Sequence, residues 1–486
     1  MISLASLFEG AKDLPIENLM MDSRAVLPNA IFFCLKGLKN DGHQFIGQAV
    51  SNGAICVVHS DPIEHYLENI VYIKVDNVVD VLNKIADIFY GKPSSKMCVI
   101  GVTGTNGKST IALTIKNIFD HYKPTGYIGT ISIEYGCNKT LPLLTTPEIT
   151  QIHEILGKMV DCGMEAVTLE VSSQGLEQGR VNAVDFDTAI FTNLTHDHLD
   201  YHGTMENYFL AKSRLFNLIG KDKTAIINVD DPYGKRLAQS CEAKLVTYGI
   251  LNPATYMAKN VQILFDRTLF TLQCYDQSYP VETNMVAMFN VYNLLAVIAA
   301  CHENGMKMEE ILAFAKNIDA VDGRMERIEE GQNFQVIVDY AHTPDGFEKI
   351  FKFADDITPK GNRILAVFGA AGKRDTKKRP ILGEIADRFC DMIILTEEDP
   401  RNEIPHAIAE QIAKGITKSN YSIVEDRYDA IRQALEMANA GDTVLILAKG
   451  NETYMYREFG REDWVGDHTA AREILRDVIL NKEENL

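Results

Sequence analysis

The stretch that most constrains the fold of this chain is Met97–Thr110, which reads MCVIGVTGTNGKST. It begins with a short apolar run, rich in β-branched residues, of the length expected for a buried strand. It then turns through Gly104 and Gly107 and enters a segment whose apolar residues follow a helical period. A strand, a glycine turn and a helix in this order predict an α/β fold built around this stretch.

The same turn carries the groups that bind a nucleoside triphosphate. Backbone N–H groups and the positive end of the helix face the phosphates, Lys108 adds a charge, and the Ser109 hydroxyl can bind Mg²⁺. The general pattern G-x-x-x-x-G-K-[ST] is not strictly met, because Val102 stands where the first glycine belongs. The alternative is a tight turn without a ligand, but a Lys-Ser pair after two glycines has no packing purpose. We therefore expect a phosphate-binding loop here.

Length and charge bound the class of protein. A chain of 486 residues is too long for one ordinary core, so two to four domains are expected. Its hydrophobic fraction of 46% and charged fraction of 24% are typical of soluble globular proteins. A net charge of −19 argues against a general nucleic-acid or membrane-surface binder, although a local basic cluster can still hold an anionic substrate.

The cysteines and the apolar runs indicate a cytoplasmic protein. The nine cysteines are scattered and contain no C-x-x-C, and several lie in apolar runs, so we expect reduced core residues. The N-terminus lacks the pattern of a signal peptide, and no apolar run of 18 residues occurs. We expect no membrane insertion and no nucleic-acid partner.

Turn-rich breaks divide the chain into three predicted domains. Residues 1–93 alternate short strand-like and helical runs, and the segment 91–95 supplies a linker. Residues 97–320 form a larger α/β unit with a β-hairpin predicted at 257–283, and 322–486 repeat the α/β alternation. Strands are predicted in the second and third units at 97–103, 166–171, 188–193, 224–228, 335–339, 363–368, 391–396 and 443–447.

Carboxylates and imidazoles follow two of these strands. Glu170 ends one strand beside the phosphate loop, where Mg²⁺ is commonly held, although a plain surface glutamate is the alternative. The next strand runs into THDHLDYHG, which contains His196, Asp197, His198, Asp200 and His202. Their spacing fits no zinc site and no cysteine is near, so a second Mg²⁺ ligand is favoured. Each histidine taken alone could equally be a hydrogen-bonded loop residue.

The order of such segments along the chain resembles the Mur ligase family. The segments that carry the resemblance are GTNGKST, EVSSQGL, NLTHDHLDYHG, YFLAKSRLF, NVDD, FNVYN, GRMER, DYAHTPD and FGAAGKRD with KRP after it. DSR at 22–24 and DGH at 41–43 resemble the uridine-binding domain of the UDP-N-acetylmuramoyl-tripeptide synthetase branch. The resemblance covers essentially the whole chain.

The resemblance implies a fold and a reaction. The implied fold is a small N-terminal α/β UDP-binding domain, a central P-loop ATPase-like domain with a mostly parallel sheet, and a C-terminal Rossmann-like α/β domain. The implied reaction is ATP-dependent: the third amino acid is added to UDP-N-acetylmuramoyl-L-alanyl-D-glutamate through an acyl phosphate, in peptidoglycan synthesis. Mg²⁺ and a CO₂-derived carbamate on Lys212 are implied, the partners are these small molecules, and a monomer is expected.

The resemblance also implies the roles of individual residues. The implied catalytic residues are Lys108, Glu170, His198 and Lys212. The implied metal ligands are Ser109, Glu170, His198 and Lys212. The implied ATP-binding residues are Gly104, Thr105, Asn106, Gly107, Lys108, Ser109, Thr110, Asn290, Arg324 and Asp339. The UDP substrate would contact Ser23, Thr145, Thr146, Ser172, Gln178 and Arg180. The amino acid would contact Arg374, Asp399, Pro400, Arg401 and Glu452.

The segment TEEDPRNE bears on which amino acid is added. Diaminopimelate-adding members of the family carry D-N-P-R here, and the arginine pairs with the distal carboxylate of meso-diaminopimelate. This chain keeps Arg401, which favours meso-diaminopimelate, but it has Glu398 and Asp399 at the first two positions. The acidic pair Glu397–Glu398 would suit a cationic side chain, so L-lysine and ornithine stay open. Further departures from the family pattern are Gln174, Ala448 and Asn451.

Two other classes stay open as rivals. A folylpolyglutamate synthetase-like ligase shares the ATPase core, but the N-terminal DSR and the later DPRNE segment argue against it. A non-catalytic nucleotide-binding protein could keep the loop alone. The joint presence of Lys108, Glu170, His198 and Lys212 argues against that reading.

Overall fold

The computed structural model describes residues 2–37, 40–63, 65–264, 266–319, 321–418 and 420–483. Residues 1, 320 and 486, which bound three of the predicted domain limits, lie outside the described residues. The described residues form three principal sheets in succession along the chain, each packed against helices. The predicted three-part α/β architecture is confirmed, and the domain limits stay a prediction.

The N-terminal part is built on a four-stranded parallel sheet in the order β3-β4-β5-β6. The strands of this sheet are β3 (Asn18–Met20), β4 (Ala30–Phe33), β5 (Ala54–His59) and β6 (Val71–Lys74), and β1 (Ile2–Ser3) and β2 (Pro15–Ile16) form a separate two-stranded sheet before it. Its helices are α1 (Leu4–Leu7), α2 (Ile46–Ser51) and α3 (Val78–Phe89). Buried apolar residues of β4 and α3 make its core, because a parallel sheet must cover both faces.

The central part carries an eleven-stranded sheet in the order β10-β9-β8-β11-β7-β12-β13-β14-β15-β16-β17. Its strands are β7 (Cys98–Thr103), β8 (Thr125–Ile128), β9 (Ile133–Tyr135), β10 (Asn138–Thr140), β11 (Ala166–Glu170), β12 (Thr188–Phe191), β13 (Thr224–Asn228), β14 (Lys244–Gly249), β15 (Tyr256–Ile263), β16 (Thr268–Cys274) and β17 (Gln277–Thr283). Its helices are α4 (Lys108–Phe119), α5 (Ile149–Asp161), α6 (Ser173–Glu177), α7 (Leu199–His202), α8 (Met205–Leu218), α9 (Pro232–Ser240), α10 (Met288–Glu303) and α11 (Met308–Ala315).

The predicted hairpin at 257–283 is wrong in its detail. Three strands, β15, β16 and β17, form an antiparallel meander there, and β15 also pairs in parallel with β14. The three strands of the meander therefore extend the central sheet and do not form a separate hairpin outside it. Alternating burial along β16 places one of its faces against the core below α10, which fixes the register.

The C-terminal part has a six-stranded sheet in the order β18-β19-β23-β20-β21-β22, parallel except at β18. Its strands are β18 (Glu326–Arg327), β19 (Gln335–Asp339), β20 (Ile364–Phe368), β21 (Met392–Leu395), β22 (Tyr421–Ile423), β23 (Thr443–Leu447), β24 (Tyr454–Arg457) and β25 (Gly460–Asp463), the last two forming a separate hairpin. Its helices are α12 (Pro344–Ile357), α13 (Lys378–Phe389), α14 (Pro405–Ala413), α15 (Arg427–Met437) and α16 (Asp467–Glu483).

The cysteines fit the prediction in part. All nine are free thiols, but Cys137 and Cys162 are exposed, so the expectation of core residues is wrong for these two. Burial raises the pKa of Cys34 and Cys56 to about 12, which keeps both thiols protonated. None of the helices in the described part of the chain is long and apolar enough to cross a bilayer.

Candidate active site

The sheet order brings the predicted site together at one edge. Strand β7 lies between β11 and β12, and all three run in parallel. Their carboxyl ends therefore meet, as ligand sites of open parallel sheets do. Glu170 ends β11, the phosphate loop follows β7, and the histidine segment follows β12.

The phosphate loop is held by its backbone and by the segment after β12. The N–H of Asn106 donates to Asn193 Oδ1 at 3.0 Å, and Thr192 Oγ1 donates to the Asn106 carbonyl at 2.6 Å. Gly107 precedes helix α4 with φ +89°, a conformation that favours glycine. A Cβ there would lie 2.6 Å from Asn293 Oδ1, so a side chain at this position would displace Asn293.

Two lysines converge on one carbonyl of this loop. Lys108 Nζ and Lys212 Nζ donate to the Gly104 carbonyl at 3.1 and 2.8 Å. Lys212 is only 1% exposed, and its ammonium lies 4.7 Å from the centre of the Tyr208 ring. Burial, and then the charge of Lys108, lower the pKa of Lys212 well below its ordinary value. Sequence periodicity could not select Lys212, because a lysine on a helix is usually solvated.

Glu170 is a fully buried acceptor beside Lys108. It accepts hydrogen bonds from Ser109 Oγ at 2.9 Å, Tyr127 OH at 2.5 Å, and the N–H and hydroxyl of Thr130 at 2.9 and 3.1 Å. The surface-glutamate alternative is therefore wrong. Tyr127 and Thr130, which sequence reasoning missed, come from the end of β8 and the turn after it, which carry no motif.

The three histidines of the segment after β12 have different surroundings. His202 contacts Ser173 Oγ at 2.9 Å and Glu177 at 3.2 Å, and His196 contacts Asp375 at 2.9 Å. His198 is half-buried, has φ +53°, and lies 3.3 Å from Asp197. Burial lowers the pKa of His198 to about 4, so its imidazole is neutral near pH 7 and can act as a ligand.

These side chains fit a hard divalent cation. A buried carboxylate, a hydroxyl bonded to it, and a neutral imidazole on the neighbouring loop are oxygen and nitrogen donors of the kind that bind Mg²⁺ beside phosphates. Asp197 adds negative charge, because His198, His342 and Lys378 outweigh its burial and hold its pKa below the ordinary value.

A cavity of about 1040 Å³ opens between the central and C-terminal sheets next to the loop. Six of the predicted ATP-binding residues line it: Asn106, Gly107, Thr110, Asn290, Arg324 and Asp339. Its lining also includes Asn293, Tyr340 and His342, which sequence reasoning left unassigned although they lie in the quoted segments FNVYN and DYAHTPD. Both sheets therefore contribute to one pocket of nucleotide size.

Arg324 and Asp339 form the C-terminal wall of this cavity. Asp339 accepts from the N–H groups of Met325 and Ala341, each at 2.7 Å, and burial raises its pKa. The Arg324 guanidinium lies 4.4 Å from the centre of the Tyr340 ring, and its buried Nε has no hydrogen-bond partner. An unpartnered buried donor at a cavity wall is typical of a site that a polar ligand completes.

The predicted UDP-substrate residues fall into two places. The Thr146 hydroxyl donates to the Glu170 carbonyl at 2.9 Å and lies 3.0 Å from Ser172 Oγ, which joins this group to the end of β11. Arg180 donates to Gln178 at 2.6 Å and to the Thr146 carbonyl at 2.8 Å, and Thr145 contacts Thr130 at 3.1 Å. Ser23 lies in the N-terminal part, where it donates to Gln48 at 2.7 Å.

Two of the predicted amino-acid residues contact a buried lysine. Lys449, which had no assigned role, contacts Asp399 at 2.8 Å and Glu452 at 2.5 Å. Arg401 has φ +52° and donates to the Gly372 carbonyl at 2.6 Å. Arg374 is exposed on the neighbouring loop. Both acidic predicted residues are thus already paired with a cation.

Glu397 and Glu398 differ in their surroundings. Glu397 forms an ion pair with Arg457, which also contacts Glu462. Burial and the neighbouring Asp399 raise the pKa of Glu398 to about 7. A carboxyl that titrates near neutrality beside the amino-acid residues is a candidate for contact with the substrate.

Family models and relatives show which proteins this chain resembles. Three models match: the Mur ligase family catalytic domain at residues 15–90, the Mur ligase middle domain at 102–301, and the Mur ligase glutamate ligase domain at 323–450. The UDP-N-acetylmuramoyl-L-alanyl-D-glutamate–2,6-diaminopimelate ligase of Halalkalibacterium halodurans is 41% identical over 450 residues, which are 92% of this chain and 91% of the relative. The enzyme of the same name from Bacillus cereus is 39% identical over 479 residues, 96% of each chain.

A solved structure shares the full architecture. It is a UDP-N-acetylmuramoyl-L-alanyl-D-glutamate–2,6-diaminopimelate ligase with a TM-score of 0.70 and 30% identity, and the match covers 99% of both chains. The segments that suggested the resemblance thus lie in a chain that matches the same family along its sequence and in its overall fold. This chain belongs to the Mur ligase family.

Proposed function

We propose that this protein is an ATP-dependent ligase that adds meso-diaminopimelate to UDP-N-acetylmuramoyl-L-alanyl-D-glutamate. The observation that carries the proposal is the buried cluster in which Lys108 and Lys212 share the Gly104 carbonyl beside Glu170. The relatives, which span almost the whole chain, are named for this reaction. We further propose that the enzyme acts as a monomer in the cytoplasm.

The first step activates the terminal carboxylate of the substrate. An oxygen of the D-glutamate carboxylate attacks the γ-phosphorus of ATP, the bond to the bridging oxygen breaks, and ADP leaves. The amino end of α4 and Lys108 neutralise charge on the phosphates. Ser109, Glu170 and His198 would hold Mg²⁺, which supplies further charge neutralisation.

Lys212 is proposed to carry a carbamate. Its lowered pKa raises the fraction of free amine, the form that reacts with CO₂, and the reaction converts a buried cation into an anion. The product would lie beside Lys108 and within range of the metal ligands. The amine itself now bonds to the Gly104 carbonyl, so carbamate formation requires that this hydrogen bond break.

The second step forms the amide. The amine of the incoming amino acid attacks the acyl carbon, phosphate leaves, and the nitrogen loses a proton. Water must be excluded because an acyl phosphate hydrolyses. The C-terminal part contacts the phosphate loop beside the cavity. Asp345 accepts a hydrogen bond from Asn106 of the loop at 2.8 Å and pairs with Lys349 at 2.7 Å.

Arg401 favours meso-diaminopimelate over lysine or ornithine, because only meso-diaminopimelate has a distal carboxylate. All three amino acids carry a second ammonium group, so the acidic side chains of this region do not distinguish them. The Arg401 guanidinium lies 5.4 Å from the centre of the Tyr456 ring and donates to the Gly372 carbonyl, and its remaining N–H groups supply donors for a distal carboxylate.

The test is product formation with each amino acid. The protein is incubated with ATP, Mg²⁺ and UDP-N-acetylmuramoyl-L-alanyl-D-glutamate, and meso-diaminopimelate, L-lysine and L-ornithine are added separately. Mass spectrometry should show the tripeptide with meso-diaminopimelate, and phosphate should be released only when both substrates are present. A product with lysine or ornithine alone would overturn the substrate assignment. No product with any of them would overturn the proposed reaction.

A further inference from the structure

A contact between His196 and Asp375 joins the central and C-terminal parts beside the cleft. His196 Nε2 lies 2.9 Å from Asp375 Oδ2, and the two residues are 179 positions apart in the sequence. His196 lies in the loop after β12 and Asp375 in the loop before α13. No step of the proposed reaction uses either residue, so the contact needs its own explanation.

One oxygen of the Asp375 carboxylate is bonded within its own loop, and the other contacts His196. Its Oδ1 accepts a hydrogen bond from the N–H of Lys377 at 3.0 Å, which fixes the carboxylate within its own turn. The side chain of Asp375 is 10% exposed, whereas that of His196 is 41% exposed. The carboxylate is therefore the fixed partner, and His196 is the side chain that meets it.

The Asp375 loop is bonded on its other side to the predicted amino-acid residues. The N–H of Gly372 donates to the Asp399 carbonyl at 2.8 Å. Arg401 donates back to the Gly372 carbonyl at 2.6 Å. Arg374, whose predicted role is to bind the amino acid, directly precedes Asp375. A displacement of this loop would therefore change the position of both arginines.

His196 belongs to the loop that also supports the phosphate site. Asn193 holds the backbone of Asn106 at 3.0 Å, and His198 is two residues beyond His196. Three hydrogen bonds, joined by short stretches of backbone, thus connect the phosphate loop to Arg401: they link Asn106 to Asn193, His196 to Asp375, and Gly372 to Arg401.

We propose that His196 and Asp375 form a positioning pair that fixes the amino-acid-binding loop against the acyl-phosphate site. The inference rests on the proposed function and concerns its second step. Neither side chain needs to touch the reacting atoms, and the first step, which takes place at the phosphate loop, does not depend on the pair. Loss of the pair should therefore weaken use of the amino acid and leave acyl-phosphate formation unchanged.

The experiment separates the two steps in single variants. His196→Ala and Asp375→Ala should each raise the KM for meso-diaminopimelate about tenfold, the loss expected for one charge-assisted hydrogen bond. The KM values for ATP and for the UDP substrate should stay within about twofold of wild type. Hydroxylamine trapping of the acyl phosphate without amino acid should proceed at the wild-type rate.

A conservative variant and a double variant test the contact itself. His196→Gln, whose amide nitrogen can reach the place of Nε2, should restore most of the affinity, whereas the shorter His196→Asn should not. The double variant should have a KM for meso-diaminopimelate no higher than that of either single variant, because both substitutions remove the same hydrogen bond. His406→Ala, which removes a surface pair with Glu425, is the matched control and should behave as wild type.

Other results would overturn the inference. Equal increases in all three KM values, additive losses in the double variant, or failure of His196→Gln to restore affinity would each show that the pair is only structural. If His196→Ala does not fold, the comparison of His196→Gln with His196→Asn decides the matter in the same way. A wild-type protein that makes no tripeptide would overturn the proposed function and this inference with it. Wild-type turnover with unaffected variants would overturn the inference alone.

Discussion

At the scale of single residues, the proposed reaction depends on the surroundings that the fold gives to Lys212. The same side chain in water would be a protonated cation of no special reactivity. Here it is buried and lies beside a second lysine, and both effects favour the neutral amine. The sequence shows only that a lysine occurs on α8, whereas the packing of that helix beside the phosphate loop gives the lysine its proposed role.

Lys212→Ala should reduce tripeptide formation at least about a hundredfold, because the proposed carbamate and its contribution to the phosphate site are lost. Short-chain carboxylic acids such as acetate should restore part of the rate, since they can place a carboxylate in the vacated space. The measurement is initial rate against carboxylate concentration, with chloride at equal ionic strength as reference. Lys221→Ala, on the surface, is the matched control. Absence of recovery at every concentration would contradict the carbamate role.

At the scale of elements, the turn between β7 and α4 is fixed by close packing. Gly104 has φ +151°, and a Cβ placed on it would lie 1.8 Å from Thr192 Oγ1. The same residue presents the carbonyl to which both lysines donate. The turn therefore depends on glycine for its conformation, for its approach to the end of β12 and for the orientation of that carbonyl.

Gly104→Ala should displace the loop, raise the KM for ATP at least about tenfold and lower the free energy of unfolding by about 1–3 kcal/mol. Nucleotide binding by calorimetry and unfolding in urea measure the two effects. Gly163→Ala is the matched control, since Gly163 has φ +77° with open space around it and so tests backbone strain alone. Equal effects of the two substitutions would contradict a specific role for the packing against Thr192.

At the scale of the whole molecule, the N-terminal part is joined to the central part through α3 and α5. Asn83 on α3 donates to the Gly179 carbonyl at 2.8 Å and accepts from the N–H of Ala183 at 3.3 Å. His153 on α5 is completely buried, and neither of its ring nitrogens has a hydrogen-bond partner. Asp87 on α3 lies 3.9 Å away. A buried histidine in this joint makes the stability of the molecule depend on pH.

Burial lowers the pKa of His153 from 6.5 to about 4. The unfolded chain therefore binds a proton between these pH values that the folded chain does not, and stability falls as the pH falls through this window. The loss in the free energy of unfolding should reach about 3 kcal/mol by pH 4. In urea unfolding, His153→Leu should lose about 3 kcal/mol less unfolding free energy than wild type between pH 7 and pH 4. Asp87, whose pKa burial raises, is present in both proteins and contributes to both pH profiles. Identical slopes would contradict the assignment.

The predictions from sequence succeeded where the interactions that fix the structure lie within one short segment. The phosphate loop was predicted because glycine conformation, a Lys-Ser pair and the start of a helix all act within a dozen residues. The long buried strands of the central and C-terminal sheets were predicted for the same reason. The meander of β15, β16 and β17 was predicted incorrectly, because its pairing with β14 depends on sheet assembly and not on its own turns.

By itself, the sequence determined the kind of chemistry, the three-part α/β organisation and the family, because these follow from local patterns and their order along the chain. Only the tertiary structure decided which polar groups meet. Tyr127 and Thr130 on Glu170, Lys449 between Asp399 and Glu452, and His196 on Asp375 carry no local signal. Such contacts arise between segments up to 179 residues apart. Sheet order brings loops of one sheet to the same edge, and the packing of the central part against the C-terminal part brings His196 to Asp375.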